Sequence, residues 1–369
     1  MTTGGRRICM ADPGAQHAPL QAELEAAAVR VMRSGRYILA DEVAAFEREL
    51  AASARVAHAV GVSSGSDALV AILAACGIGA GDEVITTALS FFATAEAIVR
   101  VGARPLFADI DAATLNLDLA AARALIGPRT RAILVVHLFG RMVDPAPLAG
   151  AGIRVIEDAA QAIGAALPDG RGPGAVSAAA ALSFFPAKNL GAMGDAGMVL
   201  TGDAELAERV RAIRVHGARA AHAHATIGGN FRLDELQAAV LRVKLPSLPA
   251  WTRRRQEIAR RYRQAWAETP LGLPPADAGC AWNQFVVRVP DGRRAQLAAR
   301  LASRGIDTAV YYPTPLHLQP ALAHLGGRPG QLPRAEAACR EVLAVPAHAE
   351  LSPDEVARIC DEVRSFFVS

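Results

Sequence analysis

Lysine is almost absent from this sequence of 369 residues. Of the 39 Lys and Arg residues, only Lys188 and Lys244 are lysines. Such a strong preference for arginine over lysine indicates a compositional bias of the genome. A lysine that persists is therefore a candidate for chemistry that arginine cannot perform, since only an amine condenses with an aldehyde and loses its proton near neutral pH.

Strong charge and metal-ligand patterns are also lacking. The formal net charge is only +3 and both signs are interspersed, which argues against nucleic-acid binding. The densest basic cluster, Arg253–Arg255 with Arg260 and Arg261, is predicted to be an exposed helix face. The five cysteines show no CxxC or Cys/His spacing, so we expect no metal site and a reducing, cytoplasmic environment.

Long apolar runs are missing too. No stretch reaches the roughly 18 residues of a membrane span, and the N-terminus has no signal-peptide pattern. We expect neither export nor a membrane partner.

Short apolar segments alternate with helical segments from residue 56 onward. Strands are predicted at Val56–Val62, Glu83–Thr87, Arg104–Ala108, Ala132–His137, Val155–Glu157, Ala180–Phe184 and Met198–Thr201. Two helices, Leu20–Ser34 and Asp41–Ser53, precede them. Short strands separated by helices are typical of a mostly parallel sheet covered on both faces, so we expect an α/β fold.

The pattern changes after a long polar helix, Leu248–Glu268, which is followed by the Pro/Gly-rich stretch Thr269–Gly279. We predict a large α/β domain over residues 1–250, including the N-terminal helices, and a smaller C-terminal α+β domain over residues 251–369. The smaller domain is expected to contain strands at Trp282–Val289 and Thr308–Tyr311 and helices at Arg294–Arg304, Arg334–Leu343 and Pro353–Phe367.

Ser64-Gly65-Ser66 joins the first predicted strand to a helix that begins near Asp67. Small residues at such a turn leave the N–H groups of the helix N-terminus open to an anion such as phosphate. A tight turn with helix capping explains the same residues, so this motif alone leaves both interpretations open. The nearby string Gly77–Gly81 follows a helix rather than a strand and is predicted to be a helix C-cap and turn.

Two further segments follow later strands. Asp158, in Glu157-Asp158-Ala159-Ala160-Gln161, is placed where open α/β sheets bind ligands, and an ionised carboxylate there favours a protonated ring nitrogen; a strand-end cap is the alternative. Lys188 lies in the segment Ser183–Gly191, which continues through Gly194 to Gly197 as a Gly-rich loop, and a desolvated lysine readily forms a Schiff base. An aldehyde cofactor with a phosphate and a pyridine ring would satisfy the turn, the carboxylate and the amine together.

These segments resemble the DegT/StrS family of pyridoxal-phosphate-dependent nucleotide-sugar aminotransferases. Ile156–Gln161 and Ser183–Gly191 are the most specific, and the resemblance extends from Gly35 to about Leu351. Less specific matches are Arg214–Gly217, Gly229–Leu233 and Tyr312–Gln319. The resemblance implies the aspartate-aminotransferase-like fold, fold type I, with pyridoxal 5'-phosphate as cofactor.

The resemblance also implies roles for individual residues. Lys188 and Asp158 are the expected catalytic residues, as the Schiff-base lysine and the partner of the ring nitrogen. The other expected cofactor contacts are Gly65, Ser66 and Ser183 at the phosphate, Gln161 at the ring hydroxyl, Phe91 stacked on the ring, and Asn230 reaching the phosphate from the other subunit. A homodimer with shared active sites follows from the last of these. Because Phe92 is adjacent, a core role for Phe91 is the alternative.

The expected substrate contacts are Phe185, His216, Arg219, Tyr311, Tyr312 and His317. Structural hydrogen bonding is the alternative for both histidines, as it is for the strand-end His137. Position 185 is Phe where several family members carry Tyr, so a hydroxyl contact to the sugar would be missing here.

The implied reaction transfers an amino group from L-glutamate to a keto group of a dTDP- or UDP-linked deoxysugar, in two half-reactions through pyridoxamine phosphate. The segments Ser90–Ile98 and Tyr312–Pro320 favour C3 over C4 as the aminated carbon. One alternative is a dehydratase of the same family, but those enzymes carry His at the position of Lys188. The other alternative is a non-catalytic regulatory relative. A nicotinamide-linked reductase would need a glycine fingerprint that Ser64-Gly65-Ser66 does not provide.

Overall fold

The computed structural model describes residues 6–220 and 223–368, without the side chains of residues 219 and 220. Its main feature is a seven-stranded sheet, in the spatial order β1-β7-β6-β5-β4-β2-β3. These strands are β1 (His58–Val62), β2 (Glu83–Thr87), β3 (Arg104–Ala108), β4 (Thr130–Val136), β5 (Arg154–Asp158), β6 (Ala179–Ser183) and β7 (Gly197–Thr201).

All strands of this sheet except β7 run in the same direction. Strands β2 to β6 pair in parallel, whereas β7 pairs antiparallel with both β1 and β6. The mostly parallel α/β sheet predicted from the sequence is therefore confirmed. The carboxyl ends of β1, β4, β5 and β6 and the start of β7 consequently lie at one edge of the sheet.

Helices cover both faces of the sheet. Within the described residues, the helices of the protein as a whole are α1 (Pro13–His17), α2 (Gln21–Ser34), α3 (Asp41–Ala54), α4 (Gly65–Ala75), α5 (Ala93–Arg100), α6 (Leu119–Ala124), α7 (Ala204–Ile213), α8 (Glu235–Lys244), α9 (Leu248–Ala265), α10 (Arg294–Ser303), α11 (Pro333–Glu341) and α12 (Pro353–Val368). Helices α4, α5 and α7 enclose one apolar core with the sheet, and α3 and α8 enclose a second core on the other face. Burial on both faces explains why the strands are apolar without alternation. None of the helices described is both long and apolar enough to cross a membrane.

Helix α3 begins without a capping side chain from its own N-terminal segment. Instead, the buried Glu235 carboxylate at the start of α8 accepts hydrogen bonds from the backbone N–H groups of Ala40, Glu42 and Val43, at 2.6, 2.8 and 3.0 Å. A carboxylate at a helix N-terminus satisfies the free N–H groups and interacts favourably with the helix dipole. This contact fixes the orientation of α3 relative to α8.

A small antiparallel pair is formed by β8 (Ala218–Ala220) and β9 (Ala223–His224), and the C-terminal part contains the antiparallel pair β10 (Phe285–Arg288) and β11 (Val342–Val345). Two sequence predictions were wrong here. Thr308–Tyr311 contains only the isolated bridge between Ala309 and Ala344, and α11 ends at Glu341, so that the apolar run after it forms β11 rather than more helix.

A separate apolar core, built around Tyr262, Trp266 and Phe285, unites α9, α10 and α12 with the β10–β11 pair. Ile8 packs into it and bridges to Ile306, so the N-terminal segment joins the C-terminal core. The domain division at residue 250 stays a prediction.

Candidate active site

The strand register brings the predicted phosphate residues together. Gly197, at the start of β7, pairs with Ser183 at the end of β6 and with Val62 at the end of β1. The turn after β1 therefore lies beside Ser183. A Cβ at Gly65 would come within 2.7 Å of the Ser183 Cβ, and one at Gly197 would come within 2.3 Å of the Ser64 backbone. Only glycine fits at either position.

This turn is also the N-terminus of α4, a helix of 11 residues. The Ser64 hydroxyl accepts a hydrogen bond from the Asp67 N–H at 3.1 Å. The N–H groups of Gly65 and Ser66 precede the first intrahelical hydrogen bond and remain available to an anion. The structure thus combines both interpretations of the motif, because a capped helix start leaves two donors open beside Ser183.

Asp158 ends β5 and is buried. Its Oδ2 accepts a hydrogen bond of 2.7 Å from the Thr94 hydroxyl, and its Oδ1 accepts one of 3.2 Å from the Ala160 N–H. The Thr94 hydroxyl is in turn 2.7 Å from the Ser90 hydroxyl. These partners orient the carboxylate and leave further lone pairs for a cationic N–H donor.

Lys188 lies in the loop of residues 184–196 between β6 and β7, called here the Lys188 loop. Its side chain is half-buried, and its amine has no hydrogen-bond partner in residues 6–220 and 223–368. Burial lowers the pKa of the Lys188 ammonium from 10.5 to about 8, and the Asp158 charge opposes that shift. The loop thus presents an unpaired amine that loses its proton far more easily than an ordinary lysine.

Buried polar residues from distant parts of the chain hold the Lys188 loop. The Asn189 amide donates to the Ala281 carbonyl at 2.9 Å and accepts from the Asn283 amide at 3.0 Å. The amine of Lys244, which is fully buried, donates to the Gly191 carbonyl. A Cβ at Gly191 would come within 2.3 Å of the Pro186 carbonyl oxygen, so the loop closes through a glycine.

Gln161 and two aromatic residues lie close to one another near this edge. Gln161 accepts a hydrogen bond from the Phe139 N–H at 2.5 Å and donates to the Tyr312 hydroxyl at 3.2 Å. The Phe91 ring is 58% exposed and lies 6.1 Å from the Tyr312 ring, centroid to centroid. Phe92 instead packs against the core around Leu316. Of the two adjacent phenylalanines, Phe91 is the one free to stack on a ligand.

The remaining predicted substrate residues differ in accessibility. Phe185 is 53% exposed in the Lys188 loop, and Tyr311 is half-buried with its pKa raised by burial. His216 is exposed, with a positive φ of 62°. The side chain of Arg219 lies outside the described residues.

The ring of His317 is 3% exposed and bonds Glu336 at 3.3 Å, while its Nδ1 has no partner in the described part of the chain. His137 is fully buried between the Glu157 carboxylate, at 2.7 Å, and the Val143 N–H, at 3.0 Å. Both ring nitrogens of His137 are therefore occupied by structural hydrogen bonds, as the structural alternative for this residue predicts.

Asn230 is exposed and forms a backbone bridge to Val215. The next residue, Phe231, accepts a hydrogen bond from the Ser63 N–H of the same chain at 3.0 Å. The backbone at Asn230 therefore runs close to the Ser64-Gly65-Ser66 turn of the same chain.

Sequence reasoning missed Thr94 and Asn283 as parts of this site. No local pattern marks either of them, because each contacts its partner across more than 60 positions of the chain. Lys244 was singled out only by its rarity.

The residues present fit pyridoxal phosphate. An unpaired amine of lowered pKa, a buried carboxylate with free lone pairs, and a helix N-terminus packed against Ser183 lie at the carboxyl edge of the sheet. Amine, carboxylate and anion cradle are the groups that an aldehyde, a ring nitrogen and a phosphate require. This arrangement defines a pyridoxal-phosphate-dependent enzyme of fold type I.

Comparison with known proteins gives the family. The model of the DegT/DnrJ/EryC1/StrS aminotransferase family matches residues 19–364. A pleiotropic regulatory protein from Geobacillus stearothermophilus is 45% identical, with 98% of each chain covered. A dTDP-3-amino-3,4,6-trideoxy-alpha-D-glucose transaminase from Streptomyces venezuelae is 44% identical, covering 98% of this chain and 96% of that one.

Among solved structures, DesV of S. venezuelae in complex with a ketimine intermediate superimposes with a TM-score of 0.95. It is 43% identical and covers 99% of this chain and 100% of its own. The chain therefore belongs to the DegT/DnrJ/EryC1/StrS aminotransferase family, and it is a pyridoxal-phosphate-dependent aminotransferase.

Proposed function

We propose that this enzyme transfers the amino group of L-glutamate to the C3 keto group of a dTDP- or UDP-linked deoxysugar. The observation that carries the proposal is the pair formed by the Lys188 amine, with its lowered pKa, and the oriented Asp158 carboxylate. The similar transaminase from S. venezuelae, whose name specifies a dTDP-linked 3-amino sugar, supports the nucleotide-sugar class and the position C3.

When bound, pyridoxal phosphate supplies an electron sink that stabilises negative charge on the substrate carbon next to nitrogen, and it carries the amino group between two half-reactions. The side chains of the protein move and hold the protons of the reaction. Lys188 Nζ takes the proton from the glutamate carbon and delivers one to the former keto carbon of the sugar. Asp158 favours the proton on the ring nitrogen, since a carboxylate stabilises an adjacent cation.

Binding is divided among the other residues. Gly65, Ser66 and Ser183 would hold the phosphate, Gln161 would contact the ring hydroxyl, and Phe91 would stack on the ring. Phe185, His216, Arg219, Tyr311, Tyr312 and His317 remain the proposed contacts of the substrates. An arginine is suited to the sugar diphosphate because its guanidinium can pair with two phosphate oxygens.

The test supplies the purified holoenzyme and glutamate with 3-keto and 4-keto sugars linked to dTDP or UDP. We expect 2-oxoglutarate and a 3-amino sugar, with the new amine located by NMR spectroscopy, and no product from Lys188→Ala. An amine at C4 would contradict the proposed position while leaving the aminotransferase intact. Loss of the sugar hydroxyl without amine transfer would indicate the dehydratase, and failure with every sugar would favour a regulatory role like that named for the Geobacillus relative.

We also propose a homodimer whose subunits share active sites. Exposed apolar side chains surround the start of α8 and continue into the Lys188 loop: Met32, Tyr37, Ile38, Met193 and Leu236. These side chains lie near one another because their segments both contact the start of α8. Ile38 forms a backbone bridge to Asp234, and the Met193 N–H donates to the Gln237 side chain at 2.9 Å. A second copy covering this surface would come close to Lys188.

Mixed dimers test the sharing of sites. Chains carrying Lys188→Ala and chains carrying Asn230→Ala are combined, and each variant alone is the matched control. If Asn230 reaches across the interface, a hybrid contains one site with both native residues, and activity should recover. Hybrids that are confirmed by mass but are no more active than the separate variants would show that Asn230 serves its own subunit.

A further inference from the structure

Three buried side chains form a chain of hydrogen bonds at the carboxyl end of β5. Ser90 and Thr94 are 4% and 0% exposed, and their hydroxyl oxygens are 2.7 Å apart. Thr94 Oγ1 is also 2.7 Å from Asp158 Oδ2. Both contacts are short enough to be strong hydrogen bonds between oxygen atoms.

The direction of this chain depends on the charge of Asp158. An ionised carboxylate can only accept, so Thr94 must give it its single hydroxyl proton, and the Ser90 hydroxyl must then donate to Thr94. A protonated Asp158 could donate instead, and the chain would reverse. With Asp158 ionised, the Ser90 hydroxyl donates its proton to Thr94 and the Thr94 hydroxyl donates its proton to Asp158, so each contact has one donor and one acceptor.

The same segment also carries Phe91. Ser90 and Thr94 bracket it at the start of α5, and the Thr94 N–H donates to the Phe91 carbonyl at 3.3 Å. The side chain proposed to stack on the ring and the hydroxyl that contacts Asp158 are therefore fixed to the same turn of backbone.

We propose that Ser90 and Thr94 form a hydroxyl relay that positions the Asp158 carboxylate and keeps the shared proton on the cofactor's ring nitrogen rather than on Asp158. The inference rests on the proposed role of Asp158. A hydrogen bond donated to the carboxylate stabilises its negative charge and keeps it an acceptor, so the proton stays on the ring nitrogen. Both hydroxyl residues act through Asp158 and are positioning residues.

The central comparison is Thr94→Val with Thr94→Ser. Valine has the shape of threonine without its hydroxyl, whereas serine retains the hydroxyl. The holoenzymes are prepared with pyridoxal phosphate labelled with ¹⁵N in the ring, and the nitrogen chemical shift reports its protonation directly. We expect Thr94→Val to move this signal toward the neutral value and Thr94→Ser to keep the wild-type value.

Kinetics give a second readout. Thr94→Val should lower kcat by roughly 10-fold or more, as loss of a hydrogen bond to a charged group does, with the KM for glutamate changed by less than about 2-fold. Ser90→Ala, one step further from Asp158, should act in the same direction with a smaller effect. This variant also tests the relay should Thr94→Val fail to fold.

A double-mutant cycle separates the relay from the role of Asp158. In an Asp158→Asn background, Thr94→Val should change kcat by less than about 2-fold, because the residue through which it acts has lost its charge. Should Asp158→Asn move the nitrogen signal while Thr94→Val and Ser90→Ala leave it unchanged, the relay is wrong and the role of Asp158 survives. A signal unaffected by Asp158→Asn would overturn the role of Asp158 and the relay with it.

Discussion

The reactivity of the Lys188 amine should depend on pH in a way that its environment dictates. Burial lowers its pKa to about 8 from the ordinary 10.5. At pH 7 roughly one-tenth of Lys188 would then be neutral, against about one in 3,000 for an ordinary lysine, so the reactive fraction of its amine is roughly 300-fold larger and it should react faster than its ordinary counterpart. The rate should rise with pH and level off above about pH 8.

The composition of the chain makes this measurable with little ambiguity. Lys188 and Lys244 are the only two lysines, so trace acetylation of the cofactor-free protein, followed by mass spectrometry, reports each one separately. A peptide with an ordinary lysine provides the reference rate at each pH.

Lys244 is the internal control. Burial lowers its pKa to about 8 as well, but its side chain is fully buried and its amine bonds the Gly191 carbonyl and His17. Lys244 should therefore react far more slowly than Lys188 at every pH. Asp158→Asn should increase the acetylation rate of Lys188 at pH 7. The Asp158 charge partly opposes the lowering of the Lys188 pKa by burial, so its removal should lower that pKa further. A Lys188 rate that keeps rising above pH 10, as for the reference peptide, would show that burial does not lower the pKa of this amine.

Three further predictions concern Lys188, the helix-capping Glu235 and the buried Lys244. Lys188→Ala should bind pyridoxal phosphate without the visible absorbance of the lysine-bound form and lose turnover, since no amine remains to bond the aldehyde; normal absorbance would contradict the assignment. Glu235→Ala, which leaves three backbone donors unpaired, should lower the free energy of unfolding in denaturant by about 2–5 kcal/mol, and Glu235→Gln by less; equal losses would refute the capping argument. Lys244 has its pKa lowered from 10.5 to about 8, so the unfolded chain binds more protons between these values, and the stability of wild type relative to Lys244→Met should rise with pH across that window. A flat difference would show that Lys244 is not desolvated.

Much of the site could be predicted because parallel strands place their carboxyl ends at one edge. Asp158 and Ser183 each end a strand, and the turn at Gly65 follows another, so their proximity follows from the fold class. The tight contact of Gly65 with Ser183 could not be predicted in this way. It depends on β7, whose antiparallel course makes Gly197 the common partner of both strand ends.

The errors and omissions have a common physical origin. The apolar run Val342–Val345 continues the helical pattern of α11 and becomes a strand only because β10 is available to pair with it. Likewise, Glu235 caps α3 from 192 to 195 positions away along the chain, and Thr94 reaches Asp158 across 64. Tertiary contacts at such separations leave no periodic signal in the sequence.

The two lysines illustrate why composition pointed correctly to the site. Lys188 provides the amine, and Lys244 holds the backbone of the same loop through the Gly191 carbonyl, so both act on one short segment. Arginine would fail at each position for a different reason. At position 188 it cannot condense with an aldehyde. At position 244 a guanidinium would bring five N–H donors into a fully buried site that offers two acceptors among the described residues, the Gly191 carbonyl and the His17 ring nitrogen, so it would leave three donors unpaired where the ammonium leaves one. In a chain that otherwise uses arginine, a lysine persists where the chemistry or the buried space accepts only an amine.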